Sequence, residues 1–180
     1  MDQNIHFACI ADIPAILEIY NYYVCDTAIS FETEVPDLTA FTERFNNIAA
    51  CYPFLVYKEN GEILGYAYGG KHRQRQAYKW SVDVTIYLDK DARGRGIGKL
   101  LYSNLFDLLK KQGFYTAYAG ITLPNEQSVG IHEHFGFKKV AHYNKVGYKR
   151  DQWWDVGWWE LELNTKRNEV PEDPLVVNEL

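Results

Sequence analysis

The sequence predicts a single-domain α/β fold, a mixed central sheet flanked by helices. Three observations predict it. Short alternating or apolar runs of strand length interleave with longer segments whose apolar residues recur every three to four positions. A glycine-rich turn, Arg93-Gly94-Arg95-Gly96-Ile97-Gly98-Lys99, joins a segment of the first kind to one of the second. The 180 residues, 47% of them hydrophobic, suffice for one core but not for two domains of ordinary size. Strands and helices recurring in this way around one sheet form a layered α/β domain.

Ile5 to Ile10 reads as a first strand, and Ala11-Asp12 then opens a helix with Ile13, Ile16, Leu17, Ile19 and Tyr20 on one stripe and Pro14 in its first turn. Thr27 to Glu34 has no helical stripe and stops at Pro36, so it is an ordered loop able to cover a pocket; a second helix runs from about Asp37 to Ala50. Pro53 to Lys58 and Glu62 to Gly69 flank Asn60-Gly61, the preferred chemistry of a two-residue hairpin. Trp80 to Leu88 is the next strand. The helix Gly98 to Gln112 follows, with Leu100, Leu101, Leu105, Leu108 and Leu109 on its stripe and Gly113 as its stop. Tyr115 to Ile121 reads as a strand, Glu126 to Phe135 as a short helix, and Lys138 to Asn144 and Trp153 to Leu163 as the last strands. After Asn164 periodicity ends. Residues 1–164 are thus expected to form the domain and 165–180 a loosely attached acidic tail carrying Glu169, Glu172, Asp173 and Glu179.

Composition excludes several classes. A net charge of −5 argues against general nucleic-acid binding, although Lys71, Arg73, Arg75 and Lys79 form a local cationic run. Cys9, Cys25 and Cys51 are odd in number and lack Cys-x-x-Cys spacing, which points to neither a disulfide framework nor a metal site. The N-terminus lacks the basic flank and apolar core of a signal peptide, and no stretch approaches the roughly 18 apolar residues of a membrane span, so a cytoplasmic protein with no membrane partner is expected.

The glycine turn is a phosphate cradle. Without Cβ atoms, Gly94, Gly96 and Gly98 let successive backbone N–H groups approach an anion at a helix start, where free amides and the positive dipole end favour negative charge. Arg93, Arg95 and Lys99 add full charges. Two common templates fail. Lys99 is followed by Leu100 rather than Ser or Thr, which removes the magnesium-holding hydroxyl of a P-loop; and the acidic ribose partner of a dinucleotide fingerprint, expected about 20 residues on, would fall in the uncharged run Tyr115 to Asn125. Arg93-x-x-Gly96-x-Gly98 resembles instead the Arg/Gln-x-x-Gly-x-Gly/Ala loop of the GCN5-related N-acetyltransferases. Trp80 to Leu88, Leu123-Pro124-Asn125 to Val129 with His132 and Gly136-Phe137, and Val146 to Lys149 with Trp154 to Gly157 resemble the phosphinothricin N-acetyltransferase branch of that family, over about Ile5 to Leu163.

The resemblance implies an acetyltransferase fold and acetyl-CoA as co-substrate, with no metal. Its pyrophosphate would lie on the backbone of Arg93, Gly94, Arg95, Gly96, Ile97, Gly98 and Lys99, and its acetyl-pantetheine arm against Ile86, Tyr87 and Leu88, the amide near Leu88 donating to the developing oxyanion. Asn125, at a strand-to-helix turn, can cap the next helix and bond the pantetheine. Asp83 is a carboxylate in an otherwise uncharged strand, which is costly unless solvated, paired or useful, and it stands where the family carries glutamate; one methylene shorter, it would act on the amine through a bridging water. Pairing with a local arginine is the structural alternative. His132 occupies the family's tyrosine position near the leaving sulfur, as proton donor or as a group that merely packs there; its ordinary pKa of about 6.5 permits donation.

For the acceptor, the resemblance nominates Phe31 and Thr33 from the early loop, Arg73, Arg75 and Tyr78 from the basic turn, and Tyr87 from the strand. A cationic turn favours the amine of a small amino acid or a glutamate-like analogue such as phosphinothricin or methionine sulfoximine. Another small amine as acceptor, or a catalytically silent CoA-binding sensor, remains the alternative. Trp153, Trp154, Trp158 and Trp159 read as core or interface, and the family implies a homodimer through this strand and its neighbours.

Overall fold

The computed structural model describes residues 2–165 and 170–179. Among them, seven strands form one sheet in the order β1-β2-β3-β4-β5-β7-β6. β1 is Ile5–Phe7, β2 Phe54–Glu59, β3 Glu62–Lys71, β4 Ser81–Leu88, β5 Thr116–Leu123, β6 Lys138–Lys149 and β7 Gln152–Glu162. All neighbours are antiparallel except β4 and β5. Helices α1 (Ile13–Cys25) and α2 (Leu38–Ala49) cover one face, where Ile16, Tyr20, Phe41 and Phe45 pack on Val56 and Tyr66. Helix α3 (Ile97–Gln112) covers the other, with Leu101, Leu105 and Leu109 against Val82, Ala117 and Trp159. Helix α4 (Glu126–His134) packs beside α3 through His132, together with Phe135 and Phe137 just after it.

The α/β architecture and the order of elements agree with the sequence pattern. Asn60 and Gly61 are both left-handed (φ 51° and 85°) between the paired Glu59 and Glu62, the turn their dipeptide favours. Asp37 caps α2 by accepting from Ala40 N at 2.8 Å.

Three segments differ. The first strand is shorter than expected, because Asp12 accepts from Cys9 N at 3.0 Å and a 3₁₀ turn over Ile10–Asp12 takes up the residues before α1. β6 is longer. A bulge interrupts its pairing after Tyr143, and Asp155 secures that bulge by accepting from Lys145 N and bonding His142 Nε2, both at 2.7 Å, so that pairing resumes at Gly147↔Trp154. The tail is bonded to the body rather than loosely attached: Leu175 exchanges hydrogen bonds with Gln112, Trp80 Nε1 donates to the Glu172 carbonyl at 2.8 Å, and Lys79 pairs with Asp173. Glu169 lies outside the described residues.

The feature that positions the site is the divergence of the parallel pair. β4 and β5 are bonded only at Ser81↔Thr116, Val82↔Ala117 and Asp83↔Tyr118, yet both strands continue, to Leu88 and Leu123.

Candidate active site

A gap thus opens beyond Asp83 with one strand edge unpaired. Asp89 N bonds the Leu64 carbonyl, so in the β3–β4 register the odd-numbered residues of β4 turn their amides to β3, and Val84, Ile86 and Leu88 turn theirs toward the gap. A small cavity of about 100 Å³ occupies the gap, lined by Ile86, Tyr87, Gly120, Thr122, Tyr102 and His132 among others. It shares Ile29, Ile86, Asn125 and Ser128 with a larger cavity of about 620 Å³ that reaches Arg93, Gly94, Gly96, Gly98 and Lys99. A narrow slot therefore leads from the glycine turn to the vertex of the splayed strands.

At the turn, Gly94 and Gly96 are left-handed (φ 76° and 82°), with Gly96 as the N-cap of α3. Among the described residues a Cβ there would meet no atom within 4 Å; the demand for glycine is conformational. Gly98 is required for space, since a Cβ would come within 2.9 Å of Ile131 Cδ1 on α4. The guanidinium of Arg93 lies over Tyr22 and Tyr23 with its Nη2 buried and unpartnered among the described residues. Two expected contributors are corrected. Arg95 turns outward to Glu59 at 2.5 Å, so its charge leaves the cradle, and the Ile97 side chain is core; only their amides belong to the loop. Lys99 is exposed on the cavity wall, and Asn125 caps α4 by accepting from Ser128 N at 3.1 Å while lining both cavities. Free helix-start amides, a left-handed glycine turn, an orphaned buried guanidinium nitrogen and Lys99 fit a diphosphate.

At the vertex, Asp83 occupies the last paired rung, on the face it shares with Thr85 and Tyr87. Its partner is not an arginine. His72, just past the end of β3, places Nδ1 2.6 Å from Asp83 Oδ1. The imidazole stacks on Tyr118 (centroids 4.3 Å apart, planes at 15°) and meets Tyr78 and Trp158 edge-on. Burial pushes the Asp83 carboxyl above its ordinary pKa, against the opposing effects of His72 and the charge of Arg73. Arg73 lies over the Trp158 ring at 5.4 Å and donates to the His72 carbonyl at 2.9 Å, so one predicted cation stands beside the carboxylate. Arg75 and Tyr78 are exposed on the same loop.

His132 is placed in the gap wall but not as a proton donor. Its Nδ1 sits 2.6 Å from the Ser128 carbonyl, which can only accept; Nε2 then has no proton and accepts from Tyr102 Oη at 2.9 Å. Burial lowers its pKa, outweighing the Ser128 bond, so the ring is held neutral with its one proton aimed at backbone. Leu88 also differs from expectation: Tyr23 Oη donates to its carbonyl at 2.6 Å and accepts its amide at 3.3 Å, which occupies the expected oxyanion donor with a weak partner. Tyr87 turns its ring into a cluster with Tyr20, Tyr23 and Tyr66, where burial raises its pKa strongly; it borders the gap and is held by α1.

The early loop covers the gap through Ile29. Phe31 packs against Gly147 of β6, and Thr33 is exposed. A buried cation secures the loop: Lys149 Nζ donates to the carbonyls of Val24 and Ser30, both at 2.7 Å. Sequence reasoning missed His72, Tyr23, Tyr102 and Lys149. Only His72 left a trace, as a titratable residue inside the cationic turn. The tryptophans divide, with Trp159 buried in the core, Trp158 beside Arg73, and Trp153 58% exposed.

Residues 5–158 match the family model described as an acetyltransferase (GNAT) domain. Phosphinothricin N-acetyltransferase of Streptomyces coelicolor is 40% identical, over 84% of this chain and 91% of its own. The L-methionine sulfoximine/L-methionine sulfone acetyltransferase of Salmonella typhimurium is 34% identical, over 90% of this chain and 95% of its own. The crystal structure of a GNAT superfamily phosphinothricin acetyltransferase from Sinorhizobium meliloti in complex with acetyl-CoA superposes with a TM-score of 0.90, at 32% identity, over 96% of this chain and 94% of that one.

Proposed function

The chain belongs to the GNAT acetyltransferase family, and from that premise we propose that it transfers acetyl from acetyl-CoA to the amine of a small amino acid or a glutamate-like analogue such as phosphinothricin or methionine sulfoximine. One observation carries this reading: the splayed β4–β5 gap joins a diphosphate cradle at one end to a carboxylate beside a cation at the other.

When bound, acetyl-CoA supplies an activated thioester. The backbone at Gly94 to Lys99, with Arg93 and Lys99, holds its diphosphate, and the gap-facing amides of Val84 and Ile86 pair its pantetheine arm as a missing strand would. Asn125 adds a side-chain partner. Arg73 and Arg75 draw the acceptor's acidic group, and the Asp83 carboxylate supplies the negative charge at the end of the gap where its ammonium must lose a proton before attack. Small anionic amino acids fit this charge arrangement better than polycationic amines do.

Use of acetyl-CoA as co-substrate supports a cytoplasmic location. The edge strand β6 and its hairpin expose Val140, Tyr143, Val146, Tyr148 and Trp153, apolar surface suited to a second copy of the chain; sedimentation of the purified protein as a monomer would remove that part of the reading. The activity is tested by thiol release from acetyl-CoA with a panel of free amino acids and analogues. Turnover with an acidic amino acid or analogue at the highest kcat/KM is expected. Turnover confined to polyamines overturns the acceptor class, and tight acetyl-CoA binding without turnover of any amine leaves the sensor.

A further inference from the structure

From the same site, and resting on the reading above, we infer that the base is the His72–Asp83 pair, with His72 Nε2 as the atom that takes the proton from the acceptor's ammonium. Three observations carry this. First, an ionised carboxylate can only accept, so the 2.6 Å contact puts the proton of a neutral imidazole on Nδ1 and the free lone pair on Nε2, which has no protein partner among the described residues. Second, the ring is locked: it stacks on Tyr118, meets Tyr78 and Trp158 edge-on, and its side chain is only 10% exposed. Third, Arg73, the proposed anion partner, bonds the backbone of His72 itself, so a bound acidic acceptor and the imidazole are set from one point.

The arrangement accounts for the aspartate. A carboxylate one methylene shorter than the glutamate of related enzymes cannot reach as far, and an imidazole bonded to it extends the reach by the width of a ring. Asp83 is then a positioning residue that fixes the tautomer and stabilises the imidazolium, and no bridging water is required.

The protons balance. The ammonium gives one proton to His72 Nε2; the freed nitrogen lone pair forms the C–N bond, and the C–S bond breaks as the tetrahedral adduct collapses. The nitrogen loses its second proton in that collapse, the thiolate gains one, and His72 returns its own to solvent, for a net release of one. The groups facing the pair are Asp83 from β4, Tyr118 from β5, Glu160 of β7 beyond Tyr118, Tyr78 and Arg73 from the same loop, and Tyr52 ahead of β2. Asp83 alone among them is hydrogen-bonded to the ring.

The test uses the full-length protein with saturating acetyl-CoA and two acceptors of different amine pKa, so that the enzyme's acid limb is separated from the substrate's. His72→Gln should lower kcat by about 10²-fold or more, displace the acid limb and leave acetyl-CoA affinity unchanged. In His72→Gly, added imidazole should restore part of kcat. Wild-type kcat and an unshifted limb in His72→Gln would return the role to Asp83 through water, and a loss that imidazole does not rescue, with the limb unmoved, would make His72 structural. Should the variants fail to fold, ¹⁵N-histidine NMR of the wild type decides: the His72 midpoint must coincide with the acid limb of kcat, and a separate midpoint overturns the inference. Failure of the proposed function is distinct, because it appears as wild-type protein that releases no thiol with any amine.

Discussion

The two ends of the β4–β5 gap are made of different material. At the glycine loop the candidate binding groups are chiefly backbone amides, and the side chains of Arg95 and Ile97 can point to Glu59 and into the core without loss to the cradle. At the vertex the candidate groups are side chains, brought to one spot by the register of β3, β4, β5 and β7 and by the loop that follows β3. A backbone site tolerates side-chain change and resists change of φ; a side-chain site does the reverse. Substitutions at the vertex should therefore strike turnover and acceptor use, and those at the loop should strike cofactor affinity.

The largest effect is expected at Asp83. Asp83→Asn should reduce kcat by about 10²–10⁴-fold with acetyl-CoA affinity intact, as measured by thiol release and calorimetry. Its stability should move the other way. Because burial holds the folded-state pKa above the unfolded value, the folded protein binds the proton more readily. Stability then falls as pH rises from the unfolded value through the folded one, and stays reduced above it. At neutral pH the variant should melt no lower than the wild type. A much lower melting temperature would mark Asp83 as a structural residue and erase the contrast between the two ends.

Next comes Arg73, the cation beside Asp83. Arg73→Ala should cost the acceptor's kcat/KM about 1.5–3 kcal/mol, or about 10- to 150-fold, while the dissociation constant of acetyl-CoA holds. Arg75→Ala should cost less, because it is Arg73 that bonds the His72 carbonyl and lies over the Trp158 ring. If either variant instead loses acetyl-CoA and keeps its acceptor kinetics, the cationic turn belongs to the cofactor end.

The difference in material also explains what the sequence revealed. The cradle is local. Gly94, Gly96 and Gly98 within seven residues define it, and so the loop, the helix after it and the strand before it were all legible. The α/β order of elements was legible for the same reason, since periodicity and turn dipeptides act over short range. The vertex is not local. Asp83 was visible as an isolated carboxylate in an apolar strand, but its bond to His72, eleven positions away in the chain, depends on the register Gly70↔Asp83 and on the path of the chain after β3. The choice between the two readings of His132 was not legible, because residue type was visible and burial was not; the Ser128 carbonyl and Tyr102 hydroxyl together decide its tautomer. The occupation of Leu88 by Tyr23 joins residues 65 positions apart and left no pattern to read.

At the loop the effect should be smaller and of the other kind. Gly96→Ala adds a Cβ that clashes with nothing but must sit at φ 82°, which costs roughly 1–2 kcal/mol for an L-residue. Where the cradle needs that conformation to bind, the strain appears as acetyl-CoA affinity weakened by about 5- to 30-fold, with acceptor kinetics at saturating cofactor unchanged. Gly96→Val, being β-branched, should weaken it further. Unchanged calorimetric affinity in a folded Gly96→Val protein would remove the loop from the cofactor site.

The smallest effect is expected at Tyr23, where the two ends meet. Its hydroxyl gives a proton to the Leu88 carbonyl and takes the Leu88 amide, while its ring lies under the Arg93 guanidinium. Tyr23→Phe keeps the ring and removes only the hydroxyl. Losing the 2.6 Å bond to the Leu88 carbonyl costs about 0.5–1.5 kcal/mol and the long 3.3 Å contact adds little, which for a chain of this size lowers the melting temperature by a few degrees. The consequence for turnover distinguishes two oxyanion donors. Where the Leu88 amide stabilises the thioester oxygen, the variant frees it and kcat is retained; where the Tyr23 hydroxyl itself does so, kcat falls by about 10²-fold or more, the cost of deleting an oxyanion donor. Retained kcat is expected, because the Leu88 amide faces the gap by strand register and 3.3 Å is a long contact for a stronger acceptor to displace. That outcome assigns oxyanion stabilisation to backbone, like the cradle, and leaves proton removal as the step that side chains perform.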